Sequence, residues 1–158
     1  MDRLNAIALA LALAGIVPAA RAEAPRVCFE PARPCPGFKA NDLSFPLDRD
    51  ARARPEQRSA PFFAVILKTA KRCTLNPGEA GEIQALFPDR KVFFTRFECD
   101  GDVENNVSYS NVDPAVGFIA VYAGEGRAAA GETLARVKSM NRFPGANLRS
   151  MQVIHNSP

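Results

Sequence analysis

The chain reads as an α+β protein in which an antiparallel sheet carries two helices on one face. Three observations predict this. Apolar stretches of strand character alternate with two segments of helical period, in the order strand, helix, strand, strand, helix, strand. The connections are rich in Asn, Asp, Pro and Gly. The residues that carry the pattern, 61–158, are enough for about one small domain.

The first strand is "PFFAVILKTA", a continuous aromatic and β-branched run suited to a buried central position. "NPGEAGEIQALF" follows as a helix, with Asn76 as its N-cap, Pro77 at the first helical position, Ala80, Ile83 and Phe87 inward, and Pro88 as its stop. "KVFFTRFEC" is the second strand, "ECDGDVENN" opens a polar loop, and "AVGFIAVYA" is the third strand. A helix from about residue 127 to 141 places Ala130, Leu134 and Val137 inward and stops at Phe143-Pro144-Gly145. "NLRSMQVIH" closes the series as the fourth strand. The βαββαβ order predicts a ferredoxin-like two-layer sandwich with both helices on one face of the sheet.

Side-chain alternation divides the strands between two faces. Phe63, Val65, Leu67, Ile119, Val121, Ala123, Met151 and Val153 are expected to meet the helices. Phe62, Ile66, Lys68, Arg96, Phe118, Ala120, Tyr122, Ser150 and Gln152 are expected on the opposite, open face, with Phe94 adding to its apolar area. So much aromatic surface marks a binding surface, a dimer contact, or a face covered by the segment before Ala60.

Residues 1–22 have the layout of a secretory signal peptide: a basic start, an apolar run from Ala6 to Val17, and Ala20-Arg21-Ala22 as the cleavage site. The apolar run is short for a membrane span. Residues 23–60, rich in Pro, Arg and Asp, read as a linker before the domain at 61–158. Export to the periplasm or beyond makes disulfides the expected state of Cys28, Cys35, Cys73 and Cys99. Four cysteines allow three connectivities. One of them joins Cys28 to Cys35 in a small loop and leaves Cys73 with Cys99. Neither pair has the C-x-x-C spacing of zinc or redox sites.

Several chemistries are disfavoured. Gly124, Gly126 and Ala129 match G-x-G-x-x-A, yet no acidic residue follows Glu132 to hold a ribose, so no nucleotide cofactor is expected. Asp100, Asp102 and Glu104 imitate the start of a calcium loop, but the glycine at its sixth position is missing and Asn111 stands where the closing glutamate belongs. No metal is expected. The lone His155 lies near the end of the sequence with no nucleophile motif, so the chain is expected not to be an enzyme. A net charge of +3 is too small to imply nucleic acid, and export points the same way.

The export signal, the proline-rich linker and the stretch "FIAVYAGEGRAAAGETLARVKSMNRFPGANLRSMQV" together resemble the SPOR domains, peptidoglycan-binding modules of bacterial envelope proteins. The likeness runs from Pro61 to Ile154 in layout, with a G-P-F-like turn at Gly124-Glu125-Gly126. It implies binding of glycan strands stripped of stem peptides, on the sheet face that begins in the first strand. Phe118 and Tyr122, with Phe62, would stack on sugar rings, while Lys68, Arg96, Ser150 and Gln152 would hydrogen-bond to hydroxyl and acetamide groups. The alternative is a small periplasmic protein-binding factor, an inhibitor, immunity-like protein or accessory subunit, that uses the same face.

Overall fold

A computed structural model describes residues 32–34, 43, 56–95, 99 and 107–156. The expected signal peptide, Cys28, Cys35, Arg96 and the acidic stretch 100–106 lie outside them. The described elements are β1 (Glu56–Arg58), β2 (Phe62–Lys71), α1 (Pro77–Gln84), β3 (Val92–Phe94), β4 (Val107–Tyr109), β5 (Val116–Gly124), α2 (Arg127–Ser139), β6 (Asn147–Met151) and β7 (Val153–Asn156). They form two antiparallel sheets and two helices, an α+β protein. The larger sheet has the order β3-β5-β2-β6, and the smaller has the order β1-β7-β4.

Local chemistry accounts for the helices. Asn76 accepts the Gly78 N–H at 2.9 Å and Pro77 opens α1, as its sequence predicts. The helix ends earlier than Pro88 because Gln84 turns back. Its Nε2 donates to the Phe87 and Arg90 carbonyls at 2.8 Å, and its Oε1 accepts the Val92 N–H, which leads the chain into β3. Gly124, at φ 95°, swings the backbone out of β5 in a conformation few other residues adopt, and α2 starts three residues later. Arg136 of α2 donates from Nη1 to both carboxylate oxygens of Asp89, at 2.8 and 3.0 Å. That hydrogen bond lowers the Asp89 pKa and raises that of Arg136.

The helices cover one face of the larger sheet. Ala80, Ile83, Ala130 and Val137 pack on Val65, Leu67, Val92, Phe94, Ile119, Val121 and Ala123, with Phe63, Leu134 and Leu148 partly buried around them. Phe94 therefore belongs to the helix side. Its neighbour Phe93 takes the other face.

That other face is a second core and is not open. Phe62, Ala64, Ile66, Phe93, Phe118, Ala120, Tyr122 and Met151 lie against Tyr109 and Val153 of the smaller sheet and against Leu43. The cover comes from three places the sequence disguises. The stretch read as linker supplies β1 and Leu43, the polar loop supplies β4, and the expected fourth strand divides at Gln152 into β6 and β7. Gln152 is pinned between the sheets: its N–H donates to Ser110 Oγ at 2.8 Å and its Nε2 to the Ser59 carbonyl at 2.8 Å. Met151 and Val153 consequently face the second core and not the helices.

The disulfide Cys73–Cys99 joins the turn after β2 to the chain beyond β3, with its Cα atoms 5.4 Å apart. Cys73 has φ 63°, a left-handed conformation that costs a non-glycine residue about 1 kcal/mol. The turn is held locally by Lys71, whose carbonyl accepts the Thr74 N–H at 3.1 Å and the Thr74 hydroxyl at 2.7 Å. Among the described residues, no helix is long and apolar enough to cross a membrane.

Candidate functional site

The aromatic side chains expected to meet a ligand meet one another. Phe62 lies 5.5 Å from Tyr122 and 6.2 Å from Phe93, and Phe118 lies 6.0 Å from Phe93 and 5.5 Å from Tyr109, mostly in edge or tilted contacts. Relative exposures of 1% for Phe62, 2% for Phe118 and 5% for Tyr122 leave no ring face on which a sugar can stack. Burial, with the Glu125 carboxylate as the lesser cause, raises the Tyr122 pKa.

The polar members of the expected site are dispersed. A register shift between Ile66 and Lys68 inserts Leu67 as a bulge, so Lys68 reaches the helix layer and binds both Glu79 oxygens, at 2.6 and 2.9 Å. Ser150 is exposed, and its carbonyl accepts the Asn111 amide at 3.0 Å. Gln152 is committed to the joint between the sheets, and Arg96 is outside the described residues. Of the seven expected ligand contacts, Lys68 borders a cavity on the helix side and Phe118 borders one on the second face.

That cavity, of about 480 Å³, occupies the part of the second face that the smaller sheet leaves uncovered. Ile66, Phe118, Val112 and Val116 provide its apolar lining, and Asn111, Asp113, Asn147 and Arg149 its polar groups. A second cavity, of about 500 Å³, lies on the helix side, where Leu67, Ile83 and Phe143 meet Lys68, Glu82 and Arg142. Ile66, Thr69 and Asn147 border both.

Between the two cavities runs an unpaired strand edge. β6 accompanies β2 only from Phe62 to Ile66, where its first residue, Asn147, stands opposite Ile66. From Lys68 to Lys71, β2 is paired with β5 on one side and, among the described residues, with no strand on the other. The Arg72 N–H donates to the Ala115 carbonyl at 3.1 Å, toward β5. Antiparallel alternation then turns the N–H groups of Thr69 and Lys71 away from β5, into the gap. The signal for this site in sequence is faint. "SNVDP", which walls the first cavity, reads as a plain turn, and Arg149 reads as an edge residue of the opposite face.

His155, on the inner face of the smaller sheet, pairs in register with Gln57 and Val107. Its Nε2 is buried without a hydrogen bond among the described residues, and desolvation lowers its pKa below the ordinary 6.5. With the folded value depressed, the unfolded chain takes up the proton first as pH falls. Stability is therefore expected to be full above about pH 6.5 and to decline on acidification toward the lowered folded pKa. Thermal midpoints at neutral pH and near pH 5 should show this decline, and His155→Leu should abolish it. An equal decline in the variant would assign it to other groups.

Compared with family models, with curated proteins and with solved structures, the chain matches none.

Proposed function

We propose that this is an exported, non-enzymatic binding protein of the bacterial cell envelope, and that its ligand is a polypeptide. The observation that carries the reading is the edge of β2 from Lys68 to Lys71, which among the described residues pairs with no strand on the side away from β5, with a cavity on each side of the sheet. A strand edge offers backbone hydrogen bonds, and cavities on alternate faces offer side-chain pockets, the combination by which proteins take up extended chains. The disulfide Cys73–Cys99 is compatible with an oxidising compartment.

In this reading β2, β3, β5 and β6, with α1 and α2, are a ferredoxin-like pair of layers to which β1, β4 and β7 add a third. The strand order and the single helix-covered face support it. The third layer displaces the SPOR-like glycan function from the sheet face, because ring stacking needs exposed aromatic faces and those of Phe62, Phe118 and Tyr122 are buried. Glycan binding keeps one supporting observation, the polar rim of Asn111, Asp113, Asn147 and Arg149 around the smaller cavity.

The test is site-specific photo-crosslinking in the producing cell, from Lys71 and from Arg127. Gly124, at the end of β5 that leads to α2, pairs with Phe63, whereas Val116 pairs with Lys71, so these two positions sample opposite ends of β2. A discrete polypeptide adduct from Lys71 and none from Arg127 is expected, with no co-sedimentation on purified sacculi. Sacculus binding that rises after amidase treatment, without a Lys71 adduct, would return the function to glycan.

A further inference from the structure

The geometry points to strand addition as the mode of binding and to an acidic extended segment of another protein as the occupant. This rests on the polypeptide-binding reading above and specifies its chemistry. Three features of the β2 edge carry it.

The first is the hydrogen-bonding pattern. With its side toward β5 satisfied, β2 presents the N–H and carbonyl of Thr69 and the N–H of Lys71 to the gap, while the Lys71 carbonyl is occupied by Thr74. A segment lying in the gap continues the line of β6 beyond Asn147 and completes the sheet.

The second is the pair of cavities. Residues of an added strand point alternately to the two faces. One set enters the cavity floored by Phe118 and Val116, and the other enters the cavity beside Ile83 and Phe143. A backbone edge without such pockets would bind any sequence. Here both sets of side chains are read.

The third is charge. Lys71, Arg142 and Arg149 are exposed around the edge and make no ion pair among the described residues. Of the nearby carboxylates, Glu79 is held by Lys68, while Asp113, which accepts the Ala115 N–H at 2.8 Å, and Glu82 keep their charge, two acids against three cations. The same cations oppose a second copy of this chain as occupant. Edge-to-edge pairing about Thr69 would crowd both copies' Lys71, Arg142 and Arg149 into one zone, the device by which edge lysines prevent self-association. An acidic partner converts that repulsion into attraction.

The experiment is a titration of the exported chain, disulfides intact, into two labelled peptides, one of alternating Glu and Val and one of alternating Lys and Val. The Glu peptide is expected to bind about tenfold more tightly or better. Thr69→Pro removes an outward N–H without touching the β5 ladder, so it should weaken binding about tenfold while the unfolding midpoint stays near that of the parent. Lys71→Glu combined with Arg149→Glu, both exposed, should reverse the peptide preference and guards against a folding defect in the proline variant. Equal binding of the two peptides, indifference to both variants, or no binding of either peptide at about 1 mM overturns the inference. A Lys71 crosslink in the cell with any of these results leaves the polypeptide reading standing without strand addition. Loss of the crosslink as well removes both.

Discussion

Phe93→Ala is expected to lower the unfolding free energy by about 3–5 kcal/mol, the cost of emptying a large buried aromatic site. Phe93 is fully buried, with Phe62, Tyr109 and Phe118 rings at 6.2, 5.2 and 6.0 Å. Those rings come from β2, β4 and β5, so its removal loosens both sheets where they meet. Against the ordinary stability of a domain, about 5–15 kcal/mol, the loss is a large fraction. Urea unfolding followed by circular dichroism measures it directly. A loss under about 1 kcal/mol would mean that the smaller sheet does not close over this face in solution. The same packing warns against reading Phe118→Ala or Tyr122→Ala as tests of ligand contact, because truncating either side chain opens the second core before it alters any surface.

Replacing Cys73 and Cys99 together by Ala is expected to cost about 3–4 kcal/mol, from the chain entropy that a cross-link across 26 residues removes from the unfolded state. The double variant is preferable to reduction, which would also act on Cys28 and Cys35 if they are joined. The effect should exceed that of cutting a surface ion pair such as Lys68–Glu79, whose exposed partners contribute under about 1 kcal/mol. Unfolding midpoints of the double variant within experimental error of the parent would show that the two halves of the staple are already held by packing. Because Cys73 lies just beyond the β2 edge, the variant should also blunt peptide binding if that edge is the binding element.

Much of the larger sheet is legible in the residues. The apolar run of β2 has to be buried on both sides, and it is. Asn76-Pro77 starts a helix for reasons local to three residues, and the glycine turn at Gly124 followed by alanines can only lead from a strand into a helix. Alternation also assigns Val65, Ile119 and Val121 to the helix side and Phe62, Phe118 and Tyr122 to the other. It fails wherever the period is broken by something a single strand does not record. The bulge at Leu67 sends Lys68 to α1, and the joint at Gln152 turns "NLRSMQVIH" into two strands of different sheets. Phe94 shows the sensitivity of such assignments, since its register on Ile119 places it among the helix contacts.

The candidate site was the less legible part. An unpaired edge is a property of where β6 stops relative to β2, and no residue type announces it. The strands β1 and β4, three residues each, are too short to show a period, and β4 is embedded in polar sequence, so the layer that covers the aromatic face reads as linker and loop. By itself, then, the sequence determined the class, the starts of the helices, the central strands and the prediction of export, because these depend on local conformational preference and on the amount of apolar surface each segment must hide. Tertiary structure decided how each face is covered, since covering a face depends on distant segments meeting it. The aromatic face that looked like a binding surface became a core, and the place proposed for a partner is the edge its neighbouring strand does not reach.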